Sequence, residues 1–190
     1  MKEKTLVLLK PDAVQRGLMG EILTRFERCG LTIVALKMQY ADAKKAGEHY
    51  VDDEAWLKAM GEKTIASYRK KGLPFNKTAL EQGRIVREGL MSFLAMSPII
   101  ALVLEGHDAV AHVRKMVGPT APADAAPGTI RGDYSFETYK LADDANRPLQ
   151  NLIHASGARE EAQREIAVWF SPKEIYSWKR VDEDLLYRKE

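Results

Sequence analysis

"PIIALVLEGHDAVAHVRKMVG", residues 98–118, is the stretch on which the fold turns. Pro98 is allowed at the start of a strand, and the apolar run behind it has strand length. From residue 107 the pattern changes. Apolar residues then fall at 109, 110, 113, 116 and 117, the spacing of an amphipathic helix, which Gly118 closes. A strand runs straight into a helix. The same unit opens the chain: "TLVLLK" (5–10) is a strand stopped by Pro11, and "GEILTRFERCG" (20–30) carries Ile22, Leu23 and Phe26 at helical spacing before Gly30. "LTIVALKMQY" (31–40) adds a second strand, "NLIHAS" (151–156) a short fourth, and a helix is predicted from about 158 to 170. The order β-α-β-β-α-β predicts a ferredoxin-like α+β fold, a four-stranded antiparallel sheet with helices on one face.

Two regions exceed that minimum. Residues 51–92 read as a helical hairpin insertion, "DEAWLKAMGEKTIASYRKKG" and "TALEQGRIVREGLMSFL" broken at "GLPFN". Residues 118–150 are rich in Pro, Gly, Ala and Asp with little periodicity, and a loop of that length is functional or disordered. A chain of 190 residues suits a single domain (1–190) that carries both. Composition is that of a globular protein, 45% hydrophobic and 29% charged, and a net charge of +2 argues against a general nucleic-acid scaffold. Any anion site must be local. The single cysteine, Cys29, excludes an intramolecular disulfide and a cysteine-based metal site, which suits a reducing compartment. No signal-peptide core and no membrane-length apolar run occur, so a soluble cytoplasmic protein without a membrane partner is expected.

In "NLIHASG" (151–157) one imidazole, His154, sits among an amide, a hydroxyl and a glycine, and by itself it reads as a catalytic group or as a histidine closing a strand. "PGTIRGD" (127–133) frames Arg131 between glycines. Glycines admit backbone N–H groups close to an anion, and a guanidinium fork matches phosphate oxygens bidentately. In the last helix Ala158, Ala162, Ile166 and Trp169 define an apolar stripe with Glu165 beside it. An inward-leaning carboxylate needs a partner, and His154 is the nearest candidate, which Glu165 would orient and favour in its cationic form. Lys10 ends the first strand as a potential phosphate cation. His107 and His112 read as exposed or capping groups. There is no P-loop, dinucleotide-binding or HExxH motif.

"LLKPDAVQRGLMGEILTRFERCGL", "EHYV", "SPIIALVLEG", "RKMVGPTAPADAAPGTIRGD", "NLIHASG" and "AQREIAVWF", in that order, resemble the nucleoside diphosphate kinase family over nearly the whole chain. The resemblance implies a ping-pong phosphoryl transfer from a nucleoside triphosphate to a nucleoside diphosphate through a phosphohistidine at His154. It implies that Lys10 and Tyr50 assist at the transferred group, that Arg114, Thr120 and Arg131 hold the phosphates, and that Asn151 with Lys10 contacts the ribose hydroxyls. Glu165 would orient His154, with Ser156 beside it. Mg²⁺ would arrive on the nucleotide phosphates rather than in a protein cage. Homo-hexamers or homo-tetramers are implied, with the loop 118–133 at subunit contacts, and no stable nucleic-acid partner.

The resemblance departs at Gly157, where the family commonly has an acidic residue, leaving one carboxylate fewer. Val86 is the positional match to the family's base-stacking aromatic, while Tyr68 and Phe75 are aromatics within the insertion. The stretch 134–150, "YSFETYKLADDANRPLQ", is longer than in short members. A binding module without turnover would show aromatics on the strand faces and a basic surface. "TLVLLK" and "PIIALVLE" contain no aromatics, and the charge is balanced.

Overall fold

The computed structural model describes residues 2–70, 72 and 74–187. Four strands, β1 (Lys2–Leu9), β2 (Thr32–Gln39), β3 (Ile99–His107) and β4 (Ile153–Ala155), form one sheet in the order β2-β3-β1-β4. All pairings are antiparallel, with Leu6 opposite Val103 and Leu8 opposite His154. The helices are α1 (Pro11–Gln15), α2 (Met19–Arg28), α3 (Ala43–His49), α4 (Glu54–Lys70), α5 (Ala79–Ala95), α6 (Ala109–Val117), α7 (Ile130–Tyr134), α8 (Tyr139–Asp144), α9 (Arg159–Trp169) and α10 (Glu183–Leu186). The expected α+β order is present.

Helices on one face is the part that does not hold. β1 is buried from Thr5 to Leu9 and β3 from Ile99 to Leu104, without alternation. One apolar cluster gathers Val7, Leu9, Ile22, Phe26, Leu102 and Val113, and another gathers Leu6, Leu8, Tyr50, Leu94, Val103 and Trp169. Successive side chains on a strand point to opposite faces, so both faces of the sheet are covered. Near-continuous apolar strands are the mark of that arrangement.

The hairpin insertion is α4 and α5, although its predicted break at "GLPFN" includes Leu73, which lies outside the described residues. Thr78 starts α5 with a reciprocal capping box: Glu81 N–H donates to Thr78 Oγ1 at 3.2 Å, and Thr78 N–H donates to Glu81 Oε2 at 2.8 Å. The two helices touch backbone to backbone. A Cβ on Gly83 would stand 2.0 Å from the Leu57 carbonyl oxygen, and one on Gly61 1.8 Å from that of Ala79. Gly83→Ala is therefore expected to cost roughly 1–3 kcal/mol, seen as a lower thermal midpoint; an unchanged midpoint would mean the helices do not cross there. Arg87 ties the hairpin to the rest of the fold, its Nε donating to Tyr50 O at 2.7 Å and its Nη2 to Gly47 O at 3.2 Å.

Residues 118–150 are a folded segment rather than a structureless loop. They hold a 3₁₀ turn (Pro122–Asp124) with α7 and α8, the two helices capped by the Thr129 and Thr138 side chains. A bidentate pair between Arg147 and Glu137, at 2.6 and 3.0 Å, closes the inserted stretch. Beyond α9 the chain runs along the outer edge of β2, where Tyr176 N–H donates to Val34 O at 2.8 Å and Trp178 Nε1 to Ile33 O at 3.0 Å. No helix among the described residues is long and apolar enough to cross a membrane.

Candidate active site

The antiparallel pairing of β4 with β1 sets His154 opposite Leu8, and α9 brings Glu165 and Trp169 to the same region. Glu165 lies on the buried stripe itself, whereas Ala158 is the exposed N-cap. The Glu165 carboxylate is 1% exposed. Its Oε2 accepts from Ser156 Oγ at 2.6 Å and from His154 Nε2 at 2.9 Å, and its Oε1 faces His49 Nδ1 at 3.6 Å and Arg164 Nη2 at 3.7 Å. Burial raises the Glu165 pKa against the pull of His49, Ser156 and Arg164; as a carboxylate it only accepts hydrogen bonds, and His154 then carries its proton on Nε2 and leaves Nδ1 with a lone pair. Glu165 pairs with the ring, but its charge does not make the ring a cation. Burial foremost, then Lys10, with Arg131 and Arg114 adding, lowers the His154 pKa to about 3 against the opposing pull of Glu161. The imidazole is neutral.

Around this ring stand the cations. Lys10 is 5% exposed, and its Nζ donates to Asn151 Oδ1 at 2.8 Å. Burial, and then Arg131, lowers its pKa to about 8 despite Asp12. Asn151 Nδ2 donates to Thr120 O at 2.8 Å, so its side chain bridges Lys10 to the exposed Thr120. Arg131 differs from its sequence reading. Of the five N–H donors of a guanidinium, four go to backbone carbonyls: Nε to Asn151 O (3.0 Å), Nη1 to Gly118 O (2.9 Å) and Pro119 O (2.8 Å), and Nη2 to Ile153 O (2.6 Å). One N–H remains, which rules out a free bidentate fork in this conformation. Arg114 is exposed, with a long hydrogen bond from Nη1 to Ala155 O at 3.5 Å.

Sequence reasoning missed His49. It is 3% exposed, with its ring 4.5 Å from that of His154 and 4.7 Å from that of Tyr50, centroid to centroid, and its Nδ1 accepts from Trp169 Nε1 at 3.4 Å. Burial, and then His154, holds its pKa well below the ordinary range. Only its place inside "EHYV" distinguished it in the sequence. Tyr50 is buried beside it, and burial raises its phenol pKa. At Gly157, where the sequence lacks the family's acidic residue, the N–H donates to Glu161 Oε2 in the first turn of α9. Val86 is half-buried on α5, while Tyr68 and Phe75 pack against each other at 5.0 Å, centroid to centroid. His112 is half-buried on α6 rather than exposed or capping, and His107 is exposed beside Asp108, 3.2 Å from its carboxylate. Among the described residues the one group of metal-ligating type is His49, His154 and Glu165. Two imidazoles hemmed by Lys10 and Arg131 do not suit a hard oxygen-seeking cation.

The family profile described as "Nucleoside diphosphate kinase" matches residues 3–69 and 78–175. The chain belongs to the nucleoside diphosphate kinase family. It is a phosphotransferase that passes the terminal phosphoryl group of a nucleoside triphosphate to a nucleoside diphosphate. It is 47% identical to a nucleoside diphosphate kinase of Pyrobaculum aerophilum over 91% of this chain and 97% of that one. It is 41% identical to that of Pyrococcus furiosus over 98% and 94%. Among solved structures, an NDP kinase of Pyrobaculum aerophilum superposes with a TM-score of 0.90 at 43% identity, covering 93% of this chain and all of that one. A nucleoside diphosphate kinase of Borrelia burgdorferi, a transition-state mimic with bound vanadate and ADP, superposes at 0.79 with 36% identity, covering 97% and 96%. Residues 70–77 lie between the two matched segments of the family profile.

Proposed function

We propose that His154 Nδ1 is the atom that carries the phosphoryl group. Its lone pair forms an N–P bond to the γ-phosphorus of a Mg²⁺-bound nucleoside triphosphate while the bond to the β-phosphate oxygen breaks and the nucleoside diphosphate leaves. The second half returns the group to another nucleoside diphosphate by the reverse path. The observation that carries this reading is the neutral imidazole, held through Nε2 by Glu165, with Nδ1 unprotonated among Lys10, Arg131 and Arg114. Phosphoryl transfer is chiefly positioning and charge neutralisation, and those three cations supply both. Lys10 and Tyr50 serve the transferred group, with Ser156 steadying Glu165. Arg114, Thr120 and the remaining N–H of Arg131 hold phosphates, Asn151 with Lys10 meets the ribose hydroxyls, and Val86 faces the base. Mg²⁺ enters as part of the nucleotide, for the imidazole-rich cluster is unsuited to hold it.

We infer that the chain acts as one catalytic unit, 1–190, within a homo-hexamer or homo-tetramer. Leu36 and Met38 on the edge strand and Tyr40 just beyond it are 47%, 53% and 67% exposed, which supports self-association. A cytoplasmic location is supported by the single free cysteine, Cys29.

The test is intact mass after brief exposure to Mg-ATP and then to GDP. Gain of one phosphoryl group, lost on addition of GDP, is the expected result. No phosphorylated species after rapid quenching at alkaline pH would defeat the mechanism and leave a nucleotide-binding module. Lys10 adds a pH dependence. Its folded pKa of about 8 is depressed from 10.5, so its charge is present below pH 8 and lost above it. Phosphoenzyme formation at fixed Mg-ATP is expected to fall as pH rises through about 8, and Lys10→Arg to move that decline upward. A flat profile from pH 7 to 10 would overturn the lowered Lys10 pKa in the working enzyme.

A further inference from the structure

Leu152, two residues before His154, is fully buried and has φ of +68°, a left-handed conformation that an L-leucine keeps only when its surroundings impose it. Ile153 N–H donates to Asn151 O at 2.7 Å, making Leu152 the centre of a three-residue turn. Both of its own backbone groups are held from the first strand's end. Leu152 O accepts from Lys10 N–H at 2.8 Å, and Leu152 N–H donates to Asp12 Oδ2 at 2.9 Å. The flanking carbonyls, Asn151 O and Ile153 O, are taken by Arg131. On one side of this turn the Asn151 amide meets Lys10 and Thr120; on the other the chain enters β4 and directs His154 to Glu165.

We propose that Asp12 is a positioning residue of the phosphoryl-transfer site: by taking the Leu152 N–H it holds the strained turn that sets Asn151 and His154 at once. The proposal rests on the phosphohistidine reading above. Asp12 is half-buried, and among the described residues its other oxygen, Oδ1, has no hydrogen-bond partner and no other group accepts the Leu152 N–H. Without that acceptor the turn loses one of the two contacts holding Leu152, and relaxation would move the amide and the imidazole together. A shift of about 1 Å at a reacting group costs on the order of 100-fold in rate. Asp12 also lies near Lys10 and Arg131, so a pure charge effect is the competing explanation.

Rapid-quench single turnovers with Mg-ATP on the full chain, read by intact mass, separate these. Wild type serves as the control, because its failure to phosphorylate would sink the phosphohistidine reading rather than this one. Asp12→Ala is expected to slow phosphorylation at saturating Mg-ATP by about 30-fold or more, to weaken ADP binding, and to blur the single Nε2–H tautomer of His154 in imidazole ¹⁵N NMR. Asp12→Asn, which keeps an acceptor oxygen and loses the charge, is expected within about threefold of wild type. In a Leu152→Gly background, where glycine adopts the turn unaided, Asp12→Ala is expected to cost less than about threefold. A wild-type rate in Asp12→Ala, an Asp12→Asn variant as slow as Asp12→Ala, or equal losses from Asp12→Ala with and without the Leu152→Gly substitution would each overturn the proposal. So would a lower thermal midpoint in Asp12→Ala with rate and tautomer unchanged.

Discussion

His154→Ala is expected to form no phosphoenzyme and to turn over at less than about one-thousandth of the wild-type rate. The expectation follows from what else stands nearby. His49 is the one other imidazole in ring contact with the site, but it is 3% exposed, and its Nδ1 is occupied by the Trp169 N–H. Ser156 is fully buried and spends its hydroxyl on Glu165. Neither group is placed to take over the nucleophile's part, so the loss should be near complete rather than partial. Folding should survive: His154 is 20% exposed at its side chain and belongs to a short strand held by backbone pairing with β1. The measurement is intact mass after a millisecond quench with Mg-ATP, together with steady-state turnover and a thermal scan. Phosphorylation persisting in the variant would place the acceptor elsewhere in the chain.

Arg131→Met is expected to damage both activity and stability. The guanidinium satisfies four carbonyls of two separate segments, Gly118 and Pro119 on one side, Asn151 and Ile153 on the other. Charge-assisted bonds of this kind are individually stronger than neutral ones, and removing the donor leaves several acceptors without partners in a buried place. A loss of roughly 3–5 kcal/mol is expected, visible as a lower denaturation midpoint. Phosphorylation should slow by about 100-fold or more, because the same bonds seat Asn151 and the approach to His154. Arg131→Lys should recover only part, since an ammonium has neither the planarity nor the number of donors to bridge both segments. An Arg131→Met variant of wild-type stability that lost only nucleotide affinity would return Arg131 to the role of a simple phosphate ligand.

Much of the fold was legible. Strand and helix periodicity gave all four strands, the long helices α2, α6 and α9, and the hairpin of α4 and α5 close to their observed limits. The short helices α1, α3, α7 and α8 were not found, because five to seven residues are too few for a 3.6-residue repeat to declare itself. Their signals were local: Pro11 at the first position of α1, and side-chain caps for the other three, Asp42, whose carboxylate accepts from Lys45 N–H at 2.7 Å, Thr129 and Thr138. The covering of both sheet faces was also written in the sequence, in strands that are apolar throughout rather than alternating, as in "TLVLL" and "IIALVL". In the site, the Glu165–His154 pairing was legible from helical spacing, since a carboxylate on a buried stripe must find a partner.

The sequence by itself determined the order of the elements, the family, and the residue types gathered for phosphoryl transfer, because periodicity, breakers and motifs are local and survive without coordinates. Only the tertiary structure decided what those residues are in one another's presence. A histidine beside a carboxylate reads as a cation on paper; burial with Lys10, Arg131 and Arg114 around it makes His154 neutral. An arginine between glycines reads as a free phosphate fork; four carbonyls converging from distant segments make Arg131 chiefly a tether. Gly157 reads on paper only as an absent charge; in the fold its N–H donates to Glu161 Oε2. Charge state, hydrogen-bond occupancy and strain such as that of Leu152 depend on desolvation and on groups far apart in the chain, and those exist only once the chain has folded.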